Sequence, residues 1–72
     1  MSGKVLTPKE IVHLLGISMA TVNYYTNIGL FKPAGRKGNM RLYAKAGILK
    51  NFSKIKELRQ KGYSLKLISQ HL

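Results

Sequence analysis

Cysteine is absent from this 72-residue chain, so neither a disulfide framework nor a thiolate metal site can staple it. Acidic side chains are almost absent as well: Glu10 and Glu57 stand against 13 Lys and Arg. With two carboxylates, no cysteine and no serine in a nucleophile motif, the chain can assemble no plausible acid–base pair or activated nucleophile, which argues against an enzyme. His13 and His71 lie far apart in sequence and two acids cannot complete a ligand set, so neither a metal nor another cofactor is expected. A phosphate-cradling glycine motif of the nucleotide-binding type is missing too. No long hydrophobic run exists: the longest, residues 11–17, is interrupted by His13 and Gly16 and falls far short of the roughly 20 residues that cross a bilayer. Only Val5 and Leu6 separate Lys4 from Thr7 and Pro8, so no signal peptide is expected and the cytoplasm is the expected compartment.

What the chain does contain is positive charge, 13 − 2 = +11 at neutral pH. An imbalance of this size points to an anionic partner: nucleic acid, an anionic membrane surface or an acidic protein. A hydrophobic content of 44% is too high for a disordered basic tail. A domain this short buries only about 60% of the surface its unfolded chain exposes, which predicts a few helices around one modest core and no separate catalytic domain. Membrane binding is disfavoured, because a surface-bound helix wants one basic face opposite one apolar face and these cations also crowd a loop.

Thr7-Pro8-Lys9-Glu10 carries a helix start, with a hydroxyl at the N-cap, proline at the first helical position and glutamate at the third for a capping box. Ile11, Val12, Leu14 and Leu15 continue as an apolar stripe until Gly16 ends the helix after about two turns. Ser18 can cap a second helix reaching about Asn27, with Val22, Tyr25 and Ile28 on its inner side, and the pair forms a helix-turn-helix candidate. Gly29 and Pro33 stop it. Two short strands, Leu30-Phe31-Lys32-Pro33 and Met40-Arg41-Leu42-Tyr43, are expected around a glycine-rich basic loop. From about Gly47 to Lys61, Ile48, Leu49, Phe52, Ile55 and Leu58 recur at helical spacing and predict the longest helix. Gly62 closes it, and Ser64 can cap a last helix carrying Leu65, Leu67, Ile68 and Leu72. That helix is apolar to its last residue, so the chain is expected to be part of a longer one.

Laid out this way, the sequence resembles the DNA-binding domain of the MerR family of bacterial transcription regulators. The resemblance is carried by Leu14-Leu15-Gly16-Ile17-Ser18, by Tyr24-Tyr25 with Ile28-Gly29-Leu30 and Lys32-Pro33, and by Gly38-Asn39-Met40-Arg41-Leu42-Tyr43. Leu58-Arg59 and Gly62-Tyr63-Ser64-Leu65 complete it. It implies a mainly α fold, a winged helix-turn-helix with four helices and a short two-stranded β-hairpin wing. The whole chain, residues 1–72, is expected as one such domain: the helix-turn-helix over 6–28, the wing over 30–43 and a supporting helix pair over 47–72. Three departures stand out. The family usually has arginine before the tyrosine pair and an acid after it, where this chain has Asn23 and Thr26. Ala44-Lys45-Ala46-Gly47 offers the third helix no cap, and a lysine there opposes the macrodipole. The chain also ends where family members continue into a dimerisation helix and an effector domain.

The resemblance implies double-stranded DNA as the partner, read by the second helix in the major groove with the wing beside the backbone. On that helix Ser18, Met19, Ala20, Asn23, Tyr24 and Asn27 occupy the side that does not pack, or its margins. Asn23 has the chemistry to pair bidentately with adenine, and Met19 or Ala20 to touch a thymine methyl; a polar surface role for Asn23 is the open alternative. Arg36, Lys37 and Arg41 are the leading wing cations, since a glycine-flanked loop brings side chains close to a phosphate ridge. Tyr25 is in phase with Val22 and is expected in the core with its hydroxyl free for a phosphate, while Tyr24 is more exposed. Tyr43 is expected chiefly as a packing residue, with backbone contact secondary. Most lysines of the long helix are expected to face water; Arg59 matches a cationic position of the family motif that reaches the backbone.

The first expectation is therefore sequence-selective duplex binding by the operator-recognition domain of a regulator. A homodimer is expected in the full-length protein, with RNA polymerase access set only by family analogy, and a monomer for this segment, whose apolar positions one core and the last helix should absorb. The alternative is a stand-alone excisionase-like or architectural DNA-binding protein, which the length of the natural reading frame would distinguish.

Overall fold

The computed structural model describes residues 4–71. Strand β1, Val5–Leu6, leads into helix α1, Pro8–Leu15. The capping box forms in full: Thr7 Oγ1 accepts the Glu10 N–H at 3.2 Å, and the Thr7 N–H donates to Glu10 Oε1 at 2.8 Å. The Thr7 N–H on the charged carboxylate is the chief cause that holds the Glu10 pKa below its ordinary value. Gly16 stops α1 in the left-handed conformation, φ 68° and ψ 31°, with its N–H on Val12 O at 2.9 Å. Two residues later Ser18 Oγ accepts the Thr21 N–H at 3.0 Å and starts helix α2, Met19–Asn27. The helix-turn-helix is thus built from local signals.

The segment after α2 differs from the expectation. Leu30 and Phe31 are not in a strand; both N–H groups donate to Tyr25 O, at 2.8 and 3.2 Å, and both side chains are fully buried. Their donors are already used, and Pro33 has none, so this stretch cannot join a ladder. The strands instead form over β2, Gly35–Lys37, and β3, Met40–Ala44, antiparallel around the two-residue turn Gly38-Asn39. Gly38 takes the first turn position at φ 61°, as a glycine-first tight hairpin requires.

β1 was not foreseen and pairs with the other edge of β3, giving a three-stranded sheet of order β1-β3-β2. Helix α3, Lys45–Gln60, follows β3 directly and begins two residues earlier than its apolar spacing suggests. Its N-cap, Ala44, makes no side-chain bond; the Lys45 N–H donates to Lys4 O at 2.9 Å, so the residue ahead of β1 satisfies the first of the helix's orphan donors, while the N–H groups that a capping side chain would take gain no such partner. Ser64 Oγ accepts the Leu67 N–H at 3.2 Å ahead of helix α4, Leu65–His71. Leu72, expected to extend that helix, lies outside the described residues.

Leu6, Ile11, Val22, Leu30, Phe31, Tyr43, Ile48, Ile55 and Ile68 form the core. Every element except β2 contributes to it, and β2 is exposed along its whole length. The hairpin therefore projects from the core rather than sealing it. So small a core does not absorb every apolar residue: Leu14, Leu49 and Leu67, expected on inner stripes, are each more than 40% exposed. The expectation that all apolar positions are accounted for is corrected accordingly.

Candidate nucleic-acid interface

Ser18, Met19, Ala20, Asn23, Tyr24 and Asn27 are all exposed. At 100° per residue, positions 19, 20, 23, 24 and 27 fall within an arc of about 140°, opposite the fully buried Val22. Ser18 is already engaged, its hydroxyl bonded to the Thr21 N–H and, at 2.9 Å, to Thr21 Oγ1. Tyr24 is half exposed and its ring lies 6.3 Å from that of Tyr25. Tyr25 is half-buried, edge-on to Phe31 at 5.3 Å, so Leu30-Phe31 forms a plug that supports α2 from beneath. Asn51 fastens that plug to α3 through an Nδ2 bond to Leu30 O at 2.8 Å.

The hairpin's register sorts its cations. Arg36 pairs directly with Arg41, so their side chains share one face, whereas Lys37 pairs with Met40 on the other. The three cations thus reach the hairpin but not a common face. Two like charges opposite one another repel, and no carboxylate relieves them: both ion pairs among the described residues use Glu57, with Lys54 at 3.9 Å and Lys61 at 3.4 Å. Glu10 is in the α1 cap. The arginine face is an uncompensated positive site.

That face is turned toward α2. Arg41 Nη2 donates to Asn23 Oδ1 at 2.7 Å, and two residues along β3 the Tyr43 hydroxyl meets Thr26 Oγ1 at 2.7 Å. Thr26 spends its own proton on Val22 O at 2.8 Å, so the Tyr43 O–H is the donor to Thr26. Residues two apart on a strand thus engage residues three apart on a helix, because each pair shares a face of its element. Sequence reasoning missed these links, although both helix partners are the positions that depart from the family pattern. The expectation for Tyr43 is corrected in one respect: the side chain is fully buried, which leaves it no surface for a phosphate.

Arg59 is on α3, in phase to within about 40° with the buried Ile48 and Ile55, yet exposed. No hydrogen bond or ion pair among the described residues ties it to α2 or the hairpin.

The model of the MerR helix-turn-helix family of regulatory proteins matches residues 6–72. The chain belongs to the MerR family. A MerR family transcriptional regulator from Bacillus cereus has a similar structure, with a TM-score of 0.77 and 25% identity. The match covers 93% of this chain and 50% of that one. HiNmlR, a MerR family regulator lacking the sensor domain and crystallised bound to promoter DNA, gives a TM-score of 0.79 at 26% identity over 94% of this chain and 54% of its own. The chain thus spans about half the length of these MerR structures. No match is found among curated proteins. The four helices and the hairpin agree with the MerR winged helix-turn-helix; β1 makes the sheet three-stranded.

Proposed function

We propose that this chain is the operator-recognition domain of a MerR-type transcription regulator, binding duplex DNA with the exposed arc of α2 in the major groove and the Arg36–Arg41 face on the adjoining backbone. One observation carries the reading: the 2.7 Å bond from Arg41 to Asn23 joins the arginine face of the hairpin to the exposed side of the helix. A groove-reading element and a phosphate-gripping element are then contiguous, as recognition of a duplex requires. Met19, Ala20, Asn23, Tyr24 and Asn27 are the base-edge or groove-wall candidates, and Arg36, Arg41, Lys37 and Arg59 the phosphate candidates. Ser18 serves first as a cap. The promoter-bound relative supports a duplex partner. In the full-length protein two such domains would read a two-fold operator as a homodimer and act on RNA polymerase access. The compartment in this reading is the cytoplasm, at the nucleoid.

Titrating a labelled duplex with the 72-residue chain at several salt concentrations tests it. Affinity should fall linearly on logarithmic axes, and Arg36→Ala should reduce the slope by about 0.9, the share of one phosphate contact. Binding that ignores salt, or that prefers single strands, would overturn the reading.

A further inference from the structure

A guanidinium carries only N–H donors, so the amide edge of Asn23 that faces Arg41 must be its oxygen. Rotating that amide by half a turn would set an NH₂ group against the guanidinium, donor against donor. Arg41 is itself held in place. It is half-buried in β3, its neighbour Tyr43 is anchored on Thr26, and Arg36 directly across the ladder repels it toward an acceptor beyond the hairpin. Asn23 Oδ1 is that acceptor. Bidentate pairing with adenine needs both the oxygen and the nitrogen of the amide, and here the oxygen side is flanked by the guanidinium. The guanidinium takes one of that oxygen's two lone pairs and sets a positive charge beside the other, which disfavours the approach of a second donor such as the adenine N6–H₂, while Nδ2 has no protein partner among the described residues.

Resting on the duplex-binding reading above, we infer that Arg41 is a positioning residue for base recognition, which locks the Asn23 amide so that Nδ2 is a fixed donor to the acceptor edge of guanine and adenine is disfavoured. Guanine is the base whose major-groove edge carries two adjacent acceptors, O6 and N7. A base preference therefore depends on a hairpin residue that need not touch the base.

Selection from a randomised duplex library, with each variant's fold checked by circular dichroism, tests the inference. The wild-type chain should enrich guanine at one position. Arg41→Met keeps the aliphatic stem of the half-buried side chain and should abolish that preference, admitting adenine, while the other positions keep theirs. Asn23→Asp retains an acceptor for Arg41 but has no donor, and should lower guanine at the same position by about tenfold. Arg36→Ala should weaken binding to all sequences alike. If Arg41→Met behaves as Arg36→Ala does, Arg41 is a phosphate contact alone and the inference fails. It fails equally if Asn23→Asp leaves the profile unchanged. A wild-type chain that enriches nothing would sink the operator-recognition reading, whereas one that enriches adenine at the position Asn23 reads would sink the inference alone. The lock is separately read in the DNA-free protein, where the Asn23 side-chain NH₂ resonances should shift in Arg41→Met; resonances that stay put would overturn the lock.

Discussion

The Tyr43–Thr26 bond shows how much a single proton's direction decides. Tyr43 is the donor and is sealed from water, so its two partners are not equivalent to mutation. Tyr43→Phe removes the donor cleanly and should cost about 1 kcal/mol. Thr26→Val leaves a buried phenol O–H without an acceptor and should cost more, about 1–3 kcal/mol. Urea midpoints of the two variants check the order, and the reverse order would show that the donor had been misassigned. Glu10 provides a pH test at the same scale. Its pKa is depressed, chiefly by the Thr7 N–H, so its contribution is present above the ordinary value of about 4.5 and is lost as pH falls through the lower native value. The melting temperature of the wild type should therefore exceed that of Glu10→Gln at pH 7, with the gap closing as the solution is acidified below pH 4.5. A gap that widens in acid would contradict the sign.

Among the elements, α1, α2 and α4 each begin on a hydroxyl cap, and these starts were legible because capping is a local bargain between a side chain and the next turn's N–H groups. α3 begins without one. Ala44 already has the extended backbone of an N-cap, φ −70° and ψ 124°, and lacks only the oxygen. Ala44→Ser should accordingly stabilise the domain by about 1 kcal/mol, seen as a higher urea midpoint at unchanged slope. The strands were less legible. Residues 30–33 have the apolar content of a strand but lose their donors to Tyr25 O, whereas Gly35–Lys37 has no inward apolar residue and forms a strand only because β3 is beside it. Two-residue β1 has no period to detect.

Across the whole molecule, the same +11 acts twice, attracting a polyanion and straining the fold through self-repulsion. Salt screens both effects, so raising sodium chloride from about 0.05 M to about 0.5 M should raise the melting temperature while lowering affinity for a duplex. Thermal melts and binding isotherms over one salt series would expose any failure of this opposition. Of the candidate interface residues, the exposed positions on α2 follow from helical phase about Val22, which periodicity alone supplies. The division of the wing cations does not, since Arg36 and Lys37 part company only once β2 is registered against β3.

The sequence by itself determined the starts of α1, α2 and α4, the charge and the family, because each of these rests on residues within a turn or two of one another or on a linear pattern. Tertiary structure alone decided that Arg41 meets Asn23, that Tyr43 is buried on Thr26 and that Leu14 and Leu67 are left in water. Those outcomes join positions as many as 18 residues apart or depend on how far one small core can reach, and no local pattern encodes either distance.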